Sequence, residues 1–171
     1  MNIWSNVFRH HRWSNRILIN FLAGLPDDQL ELSVPGTYGG SLATIRHIVS
    51  ADADYLRIIP AAPDVTQISD HDEWGGWDEL RSVAWEAGSA FVDHVDGLAD
   101  DAFFIDDGGG TPRELTVSVL LGQVIHHATE HRTQIRTTLE AHGIEAPDLS
   151  VWSWHADDEG RRVLEELRPK S

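Results

Sequence analysis

In the stretch His126-His127-Ala128-Thr129-Glu130-His131-Arg132-Thr133-Gln134, two histidines stand four residues apart. On an α-helix such positions differ by about 40° in direction and about 6 Å in height, so the His127 and His131 imidazoles leave one face together and suit a single cation. Taken alone the pair has two readings, metal ligation or buried imidazoles satisfied by hydrogen bonds. A catalytic metal site needs a third ligand, and His47, in the middle of Thr44-Ile45-Arg46-His47-Ile48-Val49, is the best candidate because Ala43, Thr44, Ala51 and Ile58 lie on or beside its face. Two interior histidines from one helix and one from another give the three-ligand, open arrangement in which a divalent ion keeps a position for water or substrate.

Several other residues are candidates for the same cavity. His11 and Asn15, one turn apart on an apolar stripe, are expected as pocket or supporting residues, with structural packing as the stronger alternative. Asp54, seven residues beyond His47 and so on nearly the same face, is expected to orient an imidazole or act as a base, with solvation at the helix end as the alternative. Glu130 completes the pattern H-x-x-E-H of inverted zinc peptidases and projects about 80° from the midline of the histidine pair, where a general base is geometrically allowed. Those peptidases are large and carry a further carboxylate ligand well downstream, whereas little chain follows His131, so a flanking surface role for Glu130 is the stronger expectation.

Composition narrows the chemistry further. The 171 residues contain no cysteine, which leaves histidine and carboxylate as metal ligands and requires any sulfur nucleophile to come from a cosubstrate. A net charge of −15 without a basic stripe argues against a nucleic-acid partner. No apolar run reaches the length of a membrane span, and the start Met1-Asn2-Ile3-Trp4-Ser5 lacks the pattern of a signal peptide, so a cytoplasmic protein is expected. With 41% hydrophobic residues and seven tryptophans, residues 1–171 are expected to form one domain with a real core.

The histidines must be positioned by helices, since strand-like alternation is nearly absent. Helical periodicity runs from about Ile3 to Gly24, from Ser41 as N-cap to a stop at Pro60, from about Trp77 to Leu98, and from about Thr116 to His142 with Gly143 closing it. Four such helices predict an all-α antiparallel bundle or a close relative. Long turn-rich loops precede the second and third helices, and a small hairpin around Asp107-Gly108-Gly109-Gly110 is expected before the fourth. After Pro147 a short C-terminal helix is expected to pack Val151, Trp152 and Trp154 onto the bundle or a second subunit.

These motifs together resemble the DinB-like (DinB/YfiT) family. Its fourth helix carries two ligand histidines four apart followed by Arg-x-Gln, matched by His127, His131, Arg132 and Gln134; its second helix supplies the third ligand in a segment similar to Ile45-Arg46-His47-Ile48-Val49. The first-helix pattern W-a-N-x-x-L-l is similar to Trp13-Ser14-Asn15-Arg16-Ile17-Leu18. His126 and Glu130 depart from the family pattern, standing where an asparagine and an aromatic are common. The resemblance implies a four-helix bundle with up-down-down-up connectivity, a homodimer, and one divalent ion, often zinc or nickel, held by His47, His127 and His131, with Gln134 as a supporting residue. Characterised relatives include transferases that use low-molecular-weight thiols such as bacillithiol and a mycothiol-dependent maleylpyruvate isomerase.

Three neutral imidazoles leave the full charge on the ion, which lowers the pKa of a bound thiol or water by several units. The leading expectation is a metal-dependent thiol S-transferase or thiol-dependent isomerase acting on a small electrophile near Asn15 and the loop ends. A hydrolase using Glu130 or Asp54 as base, and a metal-binding stress protein without turnover, are the alternatives.

Overall fold

The computed structural model describes residues 3–59, 61–99, 101–106 and 110–167. Four long helices dominate it: α1 (Ile3–Leu22), α3 (Ser41–Ile58), α4 (Trp77–His94) and α5 (Val117–Ala141), with the one-turn helix α2 (Asp27–Leu30) in the first loop. Strands β1 (Phe103–Asp106) and β2 (Arg113–Thr116) precede α5, and α6 (Val151–Ala156) and α7 (Asp158–Leu167) follow it. The four periodic segments are thus helices as expected. The strands flank the expected hairpin turn and pair antiparallel from Phe103 with Thr116 to Asp106 with Arg113, while residues 107–109 and the predicted stop at Pro60 lie outside the described residues.

Local sequence explains the helix ends. Thr116 caps α5, its side chain accepting a hydrogen bond from the Val119 N–H. At the other end Gly143 takes φ +76°, the Ile144 N–H donates to Leu139 O at 2.9 Å and the Gly143 N–H to Glu140 O at 3.0 Å. That is the Schellman arrangement, in which a left-handed glycine satisfies the last carbonyls. Ser41 departs from its expected role: it is the first helical residue, and Gly40 occupies the N-cap. A Cβ at Gly40 would lie 2.7 Å from Leu30 O, so the close crossing of the α2 turn reserves that cap for glycine. The predicted third helix ends early, at His94, and continues only as a 3-10 turn over Val95–Gly97.

Helix α1 packs on α4, α4 on α3, and α3 on α5. Phe8 stacks on Phe91 and Arg81 reaches Asn20, so α1 and α4 run antiparallel; Tyr55 meets Gln123 while His47 meets His127, so α3 and α5 do too. Both antiparallel pairs are those that an up-down-down-up bundle requires. The apolar core has two parts. One gathers Trp13, Leu18, Ile45, Ile48, Ile135 and Leu139, the other Phe8, Leu56, Phe91, Leu120 and Val124. Along α1 and α3 the division between them falls at buried polar residues, His11 and Asp52. Of the C-terminal residues expected to pack on the bundle or a second subunit, Trp154 is buried on the bundle, while Val151 and Trp152 are exposed in the single chain, Trp152 by 82%. A six-residue helix has one inward face, and Trp154 takes it. No helix among the described residues is long and apolar enough to cross a membrane.

Candidate metal centre

Helix α5 brings His127 and His131 to its side facing α3, and α3 presents His47 opposite them. One ring nitrogen from each lies within 4.8 Å of the others. His47 Nε2 stands 3.1 Å from His127 Nε2, close to the separation of about 3.3 Å between two nitrogens bound tetrahedrally at about 2.05 Å. The rings are mutually tilted, with centroids 4.6 to 5.0 Å apart, so they aim at one point instead of stacking.

Hydrogen bonds fix which nitrogen faces that point. His47 Nδ1 lies 2.9 Å from Asp70 Oδ2, and since the carboxylate accepts, Nδ1 carries the proton. Gln134 Oε1 accepts from the Tyr38 N–H at 3.0 Å and from His131 Nδ1 at 3.0 Å. His47 and His131 therefore both turn a bare Nε2 lone pair inward, as metal ligands require. Burial holds His127 neutral, with its pKa lowered from 6.5 to about 4; burial also lowers His131, against the raising effect of Gln134. The chemistry of this donor set fits a borderline divalent cation such as zinc or nickel.

Tyr38 binds the supporting groups together. Its ring stacks on His47 with centroids 4.3 Å apart and meets His131 edge-on, and its hydroxyl donates to Asp70 Oδ2 at 2.8 Å. That hydrogen bond and the one from His47 keep the Asp70 carboxyl below its ordinary range. Partial burial and Asp70 push the Tyr38 phenol up, so it remains the donor. Neither Tyr38 nor Asp70 was legible as a site residue, because both sit in loops where no periodicity assigns a direction. Exchange of Asp70 or Gln134 for alanine is expected to weaken metal binding about 10–100-fold, measured by competition with a chromophoric chelator; wild-type affinity in both variants would contradict their orienting role.

The remaining predicted residues fall elsewhere. Asp54 is 61% exposed and pairs with Arg57 at 3.3 Å, so it does not orient an imidazole, and it stands at the wall of the cleft beside Tyr55. His47 and Asp54 both lie at the edge of the buried α3 stripe; Tyr38 and Asp70 cover that edge at His47, while at Asp54 it meets solvent. Glu130 is 57% exposed, with its carboxylate 3.9 Å from His126 Nδ1, on the outer face of α5. Asn15 and His11 are fully buried and do not line an open cavity. Asn15 Nδ2 donates to Asp52 Oδ2 at 3.0 Å and its Oδ1 accepts from Arg132 at 2.8 Å, which leaves no group for a substrate. His11 Nδ1 faces Arg132, always a donor, at 3.3 Å, so the His11 proton sits on Nε2 and is donated to Asp52 Oδ2 at 2.8 Å. A signal for Asp52 did exist: it is in phase with Ile45, Ile48, Val49 and Leu56, an acid inside an apolar stripe.

A cleft of about 650 Å³ lies between α3, the hairpin and the start of α5, lined in part by Asp54, Tyr55, Arg57, Asp106, Arg113 and Gln123. Tyr55 joins it to the triad, with its ring centroid 5.9 Å from that of His127 and its hydroxyl accepting from Gln123 Nε2 at 3.2 Å. The open space next to the triad is therefore beside Tyr55, and Asn15 does not line it.

The model of the DinB family matches residues 1–162. The chain belongs to the DinB family. Its four-helix bundle is the family fold, and the His47, His127 and His131 cluster is a group able to hold a metal ion. No curated protein matches this DinB-family chain.

The lowered His127 pKa sets a pH dependence for the metal-free DinB bundle. Between 6.5 and about 4 the unfolded chain protonates this histidine and the folded chain does not, so stability present above 6.5 is lost as pH falls toward 4. The melting temperature of the metal-free protein is expected to fall over that window, and less steeply in His127→Ala. Parallel curves for the two proteins would contradict the assignment.

Proposed function

We propose that this protein is a divalent-metal-dependent transferase that joins a low-molecular-weight thiol to a small electrophile, or isomerises a substrate through such a thiol. The observation that carries the reading is the convergence of three imidazoles beside a cleft, in a chain without cysteine. When bound, a divalent cation supplies the Lewis acidity that keeps a thiol deprotonated near neutral pH. The protein residues do the positioning. Asp70 and Gln134 hold protons on the Nδ1 atoms of His47 and His131, and the Tyr38 ring covers His47 on its loop side. In the cleft Arg57 pairs with Asp54 and Arg113 with Asp106, a charged wall that suits a polar group on the thiol or its acceptor, while Leu115 and Ile58 suit an apolar body.

Hydrolysis by an activated water is less well supported, because the acids expected as bases are out of place or already paired. Glu130 faces solvent, Asp54 lines the cleft but is paired with Arg57, and Asp70 is occupied by Tyr38 and His47. The test is consumption of chloronitrobenzene or a bimane by zinc- or nickel-loaded protein with each of several small thiols. Turnover that needs both thiol and metal supports the transferase; equal loss of electrophile with and without thiol overturns it.

A further inference from the structure

His127 differs from its two partners, for its Nδ1 is buried and has no hydrogen-bond partner among the described residues. Asp52, in the core beneath the triad, has the complementary deficit. Its Oδ2 accepts from both His11 and Asn15, while its Oδ1 is buried and accepts from nothing among the described residues. A buried carboxylate oxygen without a donor and a buried ring nitrogen without a partner each carry a desolvation cost. Across the antiparallel α3 and α5 pair, both His47 and Tyr55 meet His127, so Asp52, between them on α3, lies at the height of His127 along the bundle.

The metal-free arrangement explains why the deficit persists. His47 Nε2 is a bare acceptor because its proton is held on Nδ1 by Asp70, and the 3.1 Å contact with His127 Nε2 is then a hydrogen bond only if His127 donates from Nε2. In that tautomer His127 Nδ1 is itself an acceptor and has nothing to offer Asp52. A cation held by the three Nε2 atoms removes this possibility, since the neutral His127 ring must then carry its proton on Nδ1.

We propose that Asp52 is a positioning residue for the metal: its Oδ1 accepts the His127 Nδ1–H, fixing the tautomer that frees Nε2 for the ion. The inference rests on the reading of the triad as a metal site. It makes the His11, Asn15 and Arg132 network the support of the third imidazole, as Asp70 and Gln134 support the other two. No covalent bond changes; one proton moves from Nε2 to Nδ1 through exchange with solvent as the metal binds.

The test uses the full chain, labelled with ¹⁵N in its histidine rings, with and without zinc, together with zinc affinity by chelator competition for wild type and Asp52→Asn. In the wild type, His127 is expected to change from the Nε2–H to the Nδ1–H form on zinc addition, the new proton appearing far downfield and exchanging slowly. Asp52→Asn is expected to bind zinc about 10–100-fold more weakly while its far-ultraviolet circular dichroism stays native. Native Asp52→Asn with wild-type zinc affinity overturns the proposal, as does a His127 Nδ1 proton that exchanges as fast as an exposed one. Should Asp52→Asn not fold, the wild-type spectra decide alone. Wild-type protein that binds no zinc defeats the metal reading itself, an outcome distinct from either.

Discussion

Arg132→Ala is expected to destabilise the protein by about 3–5 kcal/mol, the usual consequence of leaving one partner of a buried ionic group uncompensated. Arg132 is buried in the core, donating to Asn15 Oδ1 and lying 3.3 Å from both His11 Nδ1 and Thr129 Oγ1. Burial lowers its pKa from 12.5 to about 10 against the raising effect of Asp52, so it is charged at neutral pH. Without it, Asp52 would keep a negative charge in a site where only His11 and Asn15 donate to it. At roughly 2–4 °C per kcal/mol for a chain of this size, the melting temperature should drop by about 10 °C. The double variant Arg132→Met with Asp52→Leu should recover much of that loss, since an apolar replacement of similar volume removes both charges. A melting temperature for Arg132→Ala equal to that of the wild type would show that the network carries no such burden.

His47→Ala is expected to abolish stable metal binding while leaving the bundle folded. His47 is the member of the three-histidine cluster that α3 contributes, so without it only two imidazoles on one helix remain, and the closed three-nitrogen face is lost. Its side chain is only partly buried, and its contacts are with Tyr38, Asp70 and the other two histidines instead of the apolar core. The metal-free variant should therefore melt within a few degrees of the metal-free wild type. Retention of a tightly bound ion by His47→Ala, measured by inductively coupled plasma mass spectrometry, would place the site elsewhere.

The ligand set was readable because helical geometry converts spacing into direction. His127 and His131 could only share a face, and His47 lay in a helix with little freedom to point elsewhere. The supporting groups divide by the same logic. Gln134 follows His131 by three residues on one helix and was legible, whereas Tyr38 and Asp70 come from loops whose course depends on tertiary packing. Asp54 does not support His47 for a more specific reason. Seven residues beyond His47 is nearly the same angle, but it is also about 10 Å along the axis, where different elements lie alongside. Asp52 sits in the centre of the buried stripe, and weighing an acid among Ile48, Val49 and Leu56 as a conflict to be explained would have found it. Asn15 and His11 were placed correctly on an inward face; what the sequence lacks is any indication that Asp52 and Arg132 would consume their polar atoms.

The central claim, that His47, His127 and His131 together hold one divalent ion, is tested most directly by counting metal in tag-free wild-type protein. Inductively coupled plasma mass spectrometry after incubation with zinc or nickel and removal of free ion should give about one ion per chain. No retained ion with either metal would contradict the account, and the transferase proposal and the role assigned to Asp52 would fall with it.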